Sequence, residues 1–176
     1  PGSAISQYLL AKAYFQNNDF SQAQTALERI VFDHPENYRA SIELAKVIIQ
    51  TKNDIKNAIA VMQQSTLFGY SDCRFISMLG GLLFLDREFS ESEKVFSESS
   101  RRILSDLNRI YFRPSDFGIS TQFHAEVAYV GTTYAHLVIE GYPNVRCGTS
   151  KFANVDLKKG MRILCSIGFS ARRANA

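Results

Sequence analysis

Leu10-Ala11-Lys12-Ala13-Tyr14, followed by Asp19-Phe20-Ser21-Gln22-Ala23, Leu27, Ile30 and Pro35, is the stretch whose spacing decides the fold. Leu10, Ala11 and Tyr14 share one face of a helix. Asn17-Asn18-Asp19 is a polar break that ends one helix and starts the next. Ala23, Leu27 and Ile30 form the inner face of a second helix, capped by Ser21 or Asp19. Ala23 is small because the paired backbone approaches there. Pro35 has no amide to continue the ladder and stops the second helix. The pattern is a helical hairpin of about 34 residues.

The hairpin recurs twice. Leu44, Ala45 and Ile48 repeat the first-helix positions, Thr51-Lys52-Asn53-Asp54 is the turn, and Ala58 and Met62 come one residue late. No proline closes this unit; Gly69 and the turn at Ser71-Asp72 take its place. In the third unit Leu79-Gly80 and Leu83 precede the turn Asp86-Arg87-Glu88-Phe89, then Ser92 and Phe96. Its last helix is expected to run on through Ile103, Leu104 and Leu107 and to lay Ile103, Leu107 and Ile110 on the C-terminal part of the chain. The pattern Leu-Ala-x-x-Tyr, then Ala, Leu, Ile and Pro, resembles the tetratricopeptide repeat family. That resemblance implies a stack of three hairpins, about the minimum that buries its own faces.

The texture changes at Tyr111. Phe112-Arg113-Pro114-Ser115-Asp116-Phe117-Gly118 reads as a linker with breakers. Phe123 to Val130 alternates with the period of a strand, and Tyr134 to Ile139 forms a second. Glu140 to Asn144 is a turn, Val145-Arg146-Cys147 a short strand, and Met161 to Phe169 a long one. Four or five short strands in this space suit a small closed or half-closed barrel. Leu157-Lys158-Lys159-Gly160-Met161-Arg162-Ile163 and Ala174-Asn175 resemble steps of the cold-shock and S1 type of oligonucleotide-binding barrel. The stacking aromatics of that group are largely missing, since the corresponding strands read Thr133-Tyr134-Ala135-His136-Leu137 and Asn144-Val145-Arg146-Cys147.

The expected layout is therefore α then β: residues 1–3 as an expression scar, helical repeats over 4–110, a linker over 111–122, and a small basic β domain over 123–176. The bare Arg172-Arg173-Ala174-Asn175-Ala176 end suggests a piece of a longer protein. Hydrophobic residues make up 45% of the chain and charged residues 21%, enough for a soluble core. No apolar run reaches the ~20 residues of a membrane span, and no signal peptide opens the chain. Cys73, Cys147 and Cys165 are scattered and odd in number, which points to reduced thiols and a cytosolic setting, without zinc.

Charge is uneven. Residues 111–176 carry eight Lys/Arg and four Asp/Glu, against twelve and thirteen before them. A basic second part favours an anionic partner. There, Tyr129, Tyr134 and His136 are candidates for stacking on bases. Arg146, Lys151, Lys158, Lys159, Arg162, Arg172 and Arg173 are candidates for neutralising phosphates of RNA or single-stranded DNA.

In the helical part the family resemblance implies a concave peptide-binding floor made by the first helices. Lys12, Arg39, Lys46 and Arg74 project there, with Tyr8, Phe15, Ile42 and Phe84. Such a floor suits an acidic or carboxyl-terminal peptide. Tyr8 and Met78 stand where a carboxylate clamp needs Lys and Arg, so a chaperone tail is not expected. A charged but solvated helix face is the plainer alternative.

Enzyme chemistry finds little footing. His34 precedes Pro35 at a helix end; His124 and His136 lie on strands with Cys147 near in sequence, but nothing orients a Cys–His pair. Phosphate loops, dinucleotide fingerprints and paired metal carboxylates are absent, and no cofactor is implied. The sequence thus predicts a non-catalytic interaction module: a repeat scaffold for a protein partner and a β domain for RNA or single-stranded DNA. The alternative is a purely protein-binding regulatory region of a larger enzyme.

Overall fold

A computed structural model describes residues 3–100, 109–119, 122–149, 155–170 and 174–175. Its helical part consists of α1 (Ala4–Gln16), α2 (Phe20–Asp33), α3 (Tyr38–Lys52), α4 (Ile55–Gln64), the single turn α5 (Thr66–Gly69), α6 (Cys73–Leu85) and α7 (Phe89–Ser100). The three hairpins α1–α2, α3–α4 and α6–α7 fall where the repeat spacing puts them.

The local chemistry explains the boundaries. Asp19, Asn37, Asp54 and Asp72 each accept a backbone N–H in the first turn of the helix they precede. Ser3 does the same for α1, so a residue read as scar is its N-cap. Asn18, Asn53 and Arg87, in the three intra-hairpin turns, adopt positive φ, which tightens each reversal. Ala11, Ala45 and Gly80 on the first helices, and Ala23, Ala58 and Ser92 on the second, are buried where the backbones cross. Ser92 satisfies its hydroxyl by donating to Gly80 O at 2.7 Å. A Cβ on Gly80 would meet the Phe96 ring at 2.5 Å, so the third crossing is the tightest fit to glycine. Between hairpins, Ser65 Oγ donates to Pro35 O at 2.8 Å and lies 2.6 Å from Ser41 Oγ, pinning the end of α4 to the α2–α3 corner.

The strands are β1 (Ile110–Phe112), β2 (Phe123–Val130), β3 (Tyr134–Ile139), β4 (Tyr142–Gly148), β5 (Arg162–Cys165), β6 (Gly168–Ser170) and β7 (Ala174–Asn175). They form one sheet in the order β1-β6-β7-β4-β3-β2-β5, antiparallel except for the β4–β7 pair. β2 and β3 stand as read from the alternation. The turn before β4 is shorter than expected: Glu140 and Gly141, both at positive φ, make a two-residue hairpin, and Tyr142 already belongs to the strand.

Two expectations are corrected and a third is not shown. The stretch after Tyr111 is not a bare linker: it carries part of β1 and a 3₁₀ turn over Pro114–Phe117. The long run from Met161 is two strands, because β5 pairs with β2 whereas β6 pairs with β1 and β7. And the described strands do not close a ladder between β5 and β1, so the oligonucleotide-binding barrel is not shown. The sheet is nevertheless strongly bent. Only Ser166 and Ile167 separate β5 from β6, which limits their ends to roughly 11 Å apart, although they lie towards opposite ends of the strand order. Ile103, Leu104 and Leu107 lie outside the described residues.

Stack and sheet share one core. Phe84 on α6 is enclosed by Phe89, Phe123, Tyr142 and Phe169, with ring centroids 5.0–5.7 Å away. Gly81, one turn earlier, lets Phe112 and Phe169 reach the helix; a Cβ there would meet Phe112 at 2.5 Å and Phe169 at 2.8 Å. An Arg87–Glu140 ion pair joins the α6–α7 turn to the β3–β4 turn.

Truncation of this hub has an expected cost of about 3–5 kcal/mol for Phe84→Ala, whereas Phe32→Ala, on an exposed ring, stays within about 0.5 kcal/mol. Urea unfolding followed by circular dichroism checks both; equal small effects would contradict a shared core.

Candidate functional site

The inner surface of the stack is built by the first helices. Helical spacing places Tyr8 on α1, Arg39, Ile42, Glu43 and Lys46 on α3, and Arg74 and Met78 on α6 around one pocket of about 100 Å³. Its far wall is Tyr111, Phe112 and Phe117, from β1 and the 3₁₀ turn. The floor is apolar and the rim carries charge. Lys12 lies 5.9 Å from the centre of the Tyr8 ring, extending the cationic rim along α1. The volume is below the several hundred Å³ of drug-sized sites and suits a single side chain or chain end.

Two of the four expected cations are already paired. Arg74 forms a forked contact with Asp72, Nη2 to Oδ2 at 2.6 Å and Nε to Oδ1 at 3.1 Å. Lys46 donates to Glu43 at 3.0 Å. Burial pushes the Asp72 carboxyl up, but the side-chain and backbone hydrogen bonds from Arg74, with its charge, outweigh that and hold it below the ordinary aspartate range. The same side-chain hydrogen bond, with the Asp72 charge, raises Arg74 against its own desolvation. Burial, reinforced by Glu43, raises the Tyr8 hydroxyl against the opposing pull of Arg39 and Arg74. Tyr8 is therefore a neutral O–H at neutral pH, able to donate to an anion. Arg39 sits over the Tyr38 ring at 6.0 Å and has no ion pair among the described residues.

Phe15 and Phe84, expected beside this floor, are placed elsewhere. Phe15 packs edge-on against Phe20 at 5.6 Å, inside its own hairpin. Phe84 is sealed in the core beneath the sheet. Conversely, Glu43, Tyr111, Phe112 and Phe117 line the pocket without having been expected there. The only sequence hint for the last three is the aromatic density around Pro114.

The second candidate surface is the outer face of the sheet. Alternation puts His124, Glu126, Tyr134, His136, Val138 and Arg146 there, while Ala125, Val127, Ala135, Leu137 and Cys147 turn inward. The bulge after Val127 rotates Tyr129 onto the outer face, opposite His136. Arg146 stacks on the Tyr134 ring at 4.0 Å, His136 meets Tyr134 edge-on at 5.3 Å, and Tyr129 lies 6.1 Å from His136. Lys158 and Lys159 occupy the turn whose Gly160 N–H donates to Val127 O, next to the Tyr129 end; Lys158 pairs with Asp156 at 3.1 Å. Arg162 lies apart, opposite Glu126 in register, in a pocket that also holds His124 and Glu140. Lys151, Arg172 and Arg173 lie outside the described residues.

His136 and Cys147 fall on opposite faces of adjacent strands, so no Cys–His pair forms between them. Among the described residues no three His, Cys, Asp or Glu side chains are grouped to hold a metal ion, and no helix is long and apolar enough to cross a membrane.

Comparison with known proteins bears on the stack. The tetratricopeptide repeat family model matches residues 5–47. The helical part is tetratricopeptide-like, which suggests a protein-interaction scaffold. A solved structure described as the MamA RS-1 ArsTM double mutant is 18% identical, with a TM-score of 0.46, over 56% of this chain and 55% of that one. The match thus spans about half of that structure's length. No curated protein matches.

The Asp72 pairing predicts a pH signature. Asp72→Ala removes both an α6 cap and the Arg74 contact and lowers stability by about 1 kcal/mol at pH 7. Because the folded carboxyl is more acidic than the unfolded one, that difference is fully present above the ordinary aspartate value of 3.8. It fades as the pH falls through the lower folded value. Unfolding curves of both proteins at pH 7 and at progressively lower pH check this; a gap that grows on acidification would contradict it.

Proposed function

We propose that the chain is a two-surface interaction module. Its concave pocket takes an acidic peptide, and the outer face of its sheet takes single-stranded RNA or DNA. The observation that carries the first half is the set Tyr8, Arg39, Lys46 and Arg74 around an apolar floor of Ile42, Met78 and Phe112. With Lys46 and Arg74 partly neutralised by Glu43 and Asp72, the net attraction comes from Lys12 and Arg39. An anionic group beside an apolar side chain meets both parts of the pocket. Tyr111 and Phe117 wall one end, which favours a segment that stops there over one that runs through.

The second half rests on the Tyr129–His136–Tyr134–Arg146 row. Base-on-aromatic stacking contributes about 1–3 kcal/mol per base, and Arg146 is preorganised on Tyr134. The exposed Tyr129 ring is the open platform. Lys158 and Lys159 at the neighbouring turn supply phosphate contacts.

For the pocket, a fluorescent acidic peptide ending in a free apolar residue should bind, and the double change Lys12→Glu with Arg39→Glu should weaken it by about tenfold. Equal binding of an uncharged, amide-capped peptide would remove the charge argument.

For the sheet, a labelled single-stranded oligonucleotide titrated at two salt concentrations should bind more weakly at the higher one, with a log–log slope near −0.7 per phosphate contacted. Tyr129→Ala and Arg146→Ala should each lower affinity several-fold. Failure of the intact chain to bind at low salt would discard this half and leave the peptide half standing.

A further inference from the structure

The three hairpins can be compared position by position, because Leu10-Ala11, Leu44-Ala45 and Leu79-Gly80 are equivalent. Leu10 is 51% exposed, whereas Leu44 and Leu79 are 2% and 1% exposed. Ser6 and Ala13, on the same face of α1, are also exposed, while their equivalents Ala40 and Val47 on α3, and Phe75 and Leu82 on α6, are buried. Ile5 and Leu9 widen the patch, at 73% and 59% exposed.

The reason is visible in the packing. α3 lies against α2, and α6 lies against α4. The second helix of each hairpin covers the first helix of the next. α1 presents the same face, Leu flanked by small residues, with no helix upon it among the described residues. A helix that is apolar around most of its circumference belongs between other helices. The α1 face therefore continues an interface the chain already makes twice.

We infer that α1 is a docking surface for the second helix of one more hairpin of the chain's own pattern. The occupant is an amphipathic helix with a small residue at the crossing, as Ala23 in α2 and Ala58 in α4, and apolar residues a turn beyond. No second helix of another copy is free to supply it: α2 and α4 are each covered by the next hairpin, and Phe96 of α7 is stacked on Phe169 of the sheet at 6.5 Å. The stack is closed at the sheet end and open at α1. The inference does not depend on the proposed peptide or nucleic-acid functions.

The test reads the cover directly. Leu10→Cys is introduced into the chain and into an extended chain carrying a second copy of residues 4–37 ahead of Ser3. Maleimide labelling of that thiol, followed by peptide mass spectrometry to separate it from Cys73, Cys147 and Cys165, should be fast in the first protein and at least ~10-fold slower in the second. Labelling that is equally fast in both overturns the inference. So does labelling of the unextended chain that slows as its concentration rises, since the face would then pair with a second copy.

Discussion

Phe84 holds the molecule together as one body. It is the point at which a helix of the repeat stack meets the sheet, and four aromatic rings from α7, β2, β4 and β6 close around it. A helical stack must cover its last hairpin, because each hairpin buries only the face its neighbour supplies. Here a sheet provides the cover. The match needs flat rings against a helix with no side chain in the way, and Gly81 meets that need for Phe112 and Phe169. The Gly80–Phe96 crossing, one residue away, belongs to the hairpin itself. Adjacent glycines thus serve two different packings on two faces of one helix.

The same junction shapes the concave pocket. β1 lies in the sheet beside β6, and the chain then turns through Pro114–Phe117 across the inner surface of the stack. Tyr111, Phe112 and Phe117 become an end wall that the helices alone do not provide. Phe112 belongs to both structures: its ring is part of the buried core and part of the pocket lining. Pocket shape is thereby tied to the docking of sheet on stack.

The legible part of this fold is local. Small and large residues alternating at a fixed interval place all three hairpins, because helix crossings constrain side-chain volume within a short window. Residues 123–130 and 134–139 are likewise legible, since one face of each strand is buried and period-two alternation results. The features that escape are non-local. β1 is three residues long and owes its existence to β6, nearly sixty positions later, so no window around Pro114 reveals it. The break at Ser166–Ile167 is invisible in a run of mostly apolar residues, because the change from the half-exposed β5 to the buried β6 comes with the change of partner strand and neither Ser166 nor Ile167 is a breaker residue. Among the residues that helical spacing assigns to the groove, Tyr8, Arg39, Ile42, Lys46 and Arg74 surround one pocket, whereas Phe15 packs inside its own hairpin. Helical position alone assigns Phe84 to the groove, but the sheet that buries it leaves no mark in the sequence near that position. Tyr129 reaches the outer face only through a bulge, which shifts the parity that simple alternation assumes.

The two halves of the charge pattern differ in kind. In the pocket, Arg74 and Lys46 are held by Asp72 and Glu43, so their positions are fixed and their net charge is largely cancelled. Such pairs specify geometry more than they attract. Lys12 and Arg39 lie against tyrosine rings instead, which orients a cation without cancelling it. Arg146 on Tyr134 repeats that arrangement on the sheet, at closer range. Cations held by rings remain attractive to a distant anion, whereas cations held by carboxylates act only on a ligand already in contact. In the proposed peptide site, long-range attraction would therefore belong to Lys12 and Arg39, and short-range fit to Arg74, Lys46 and the aromatic wall.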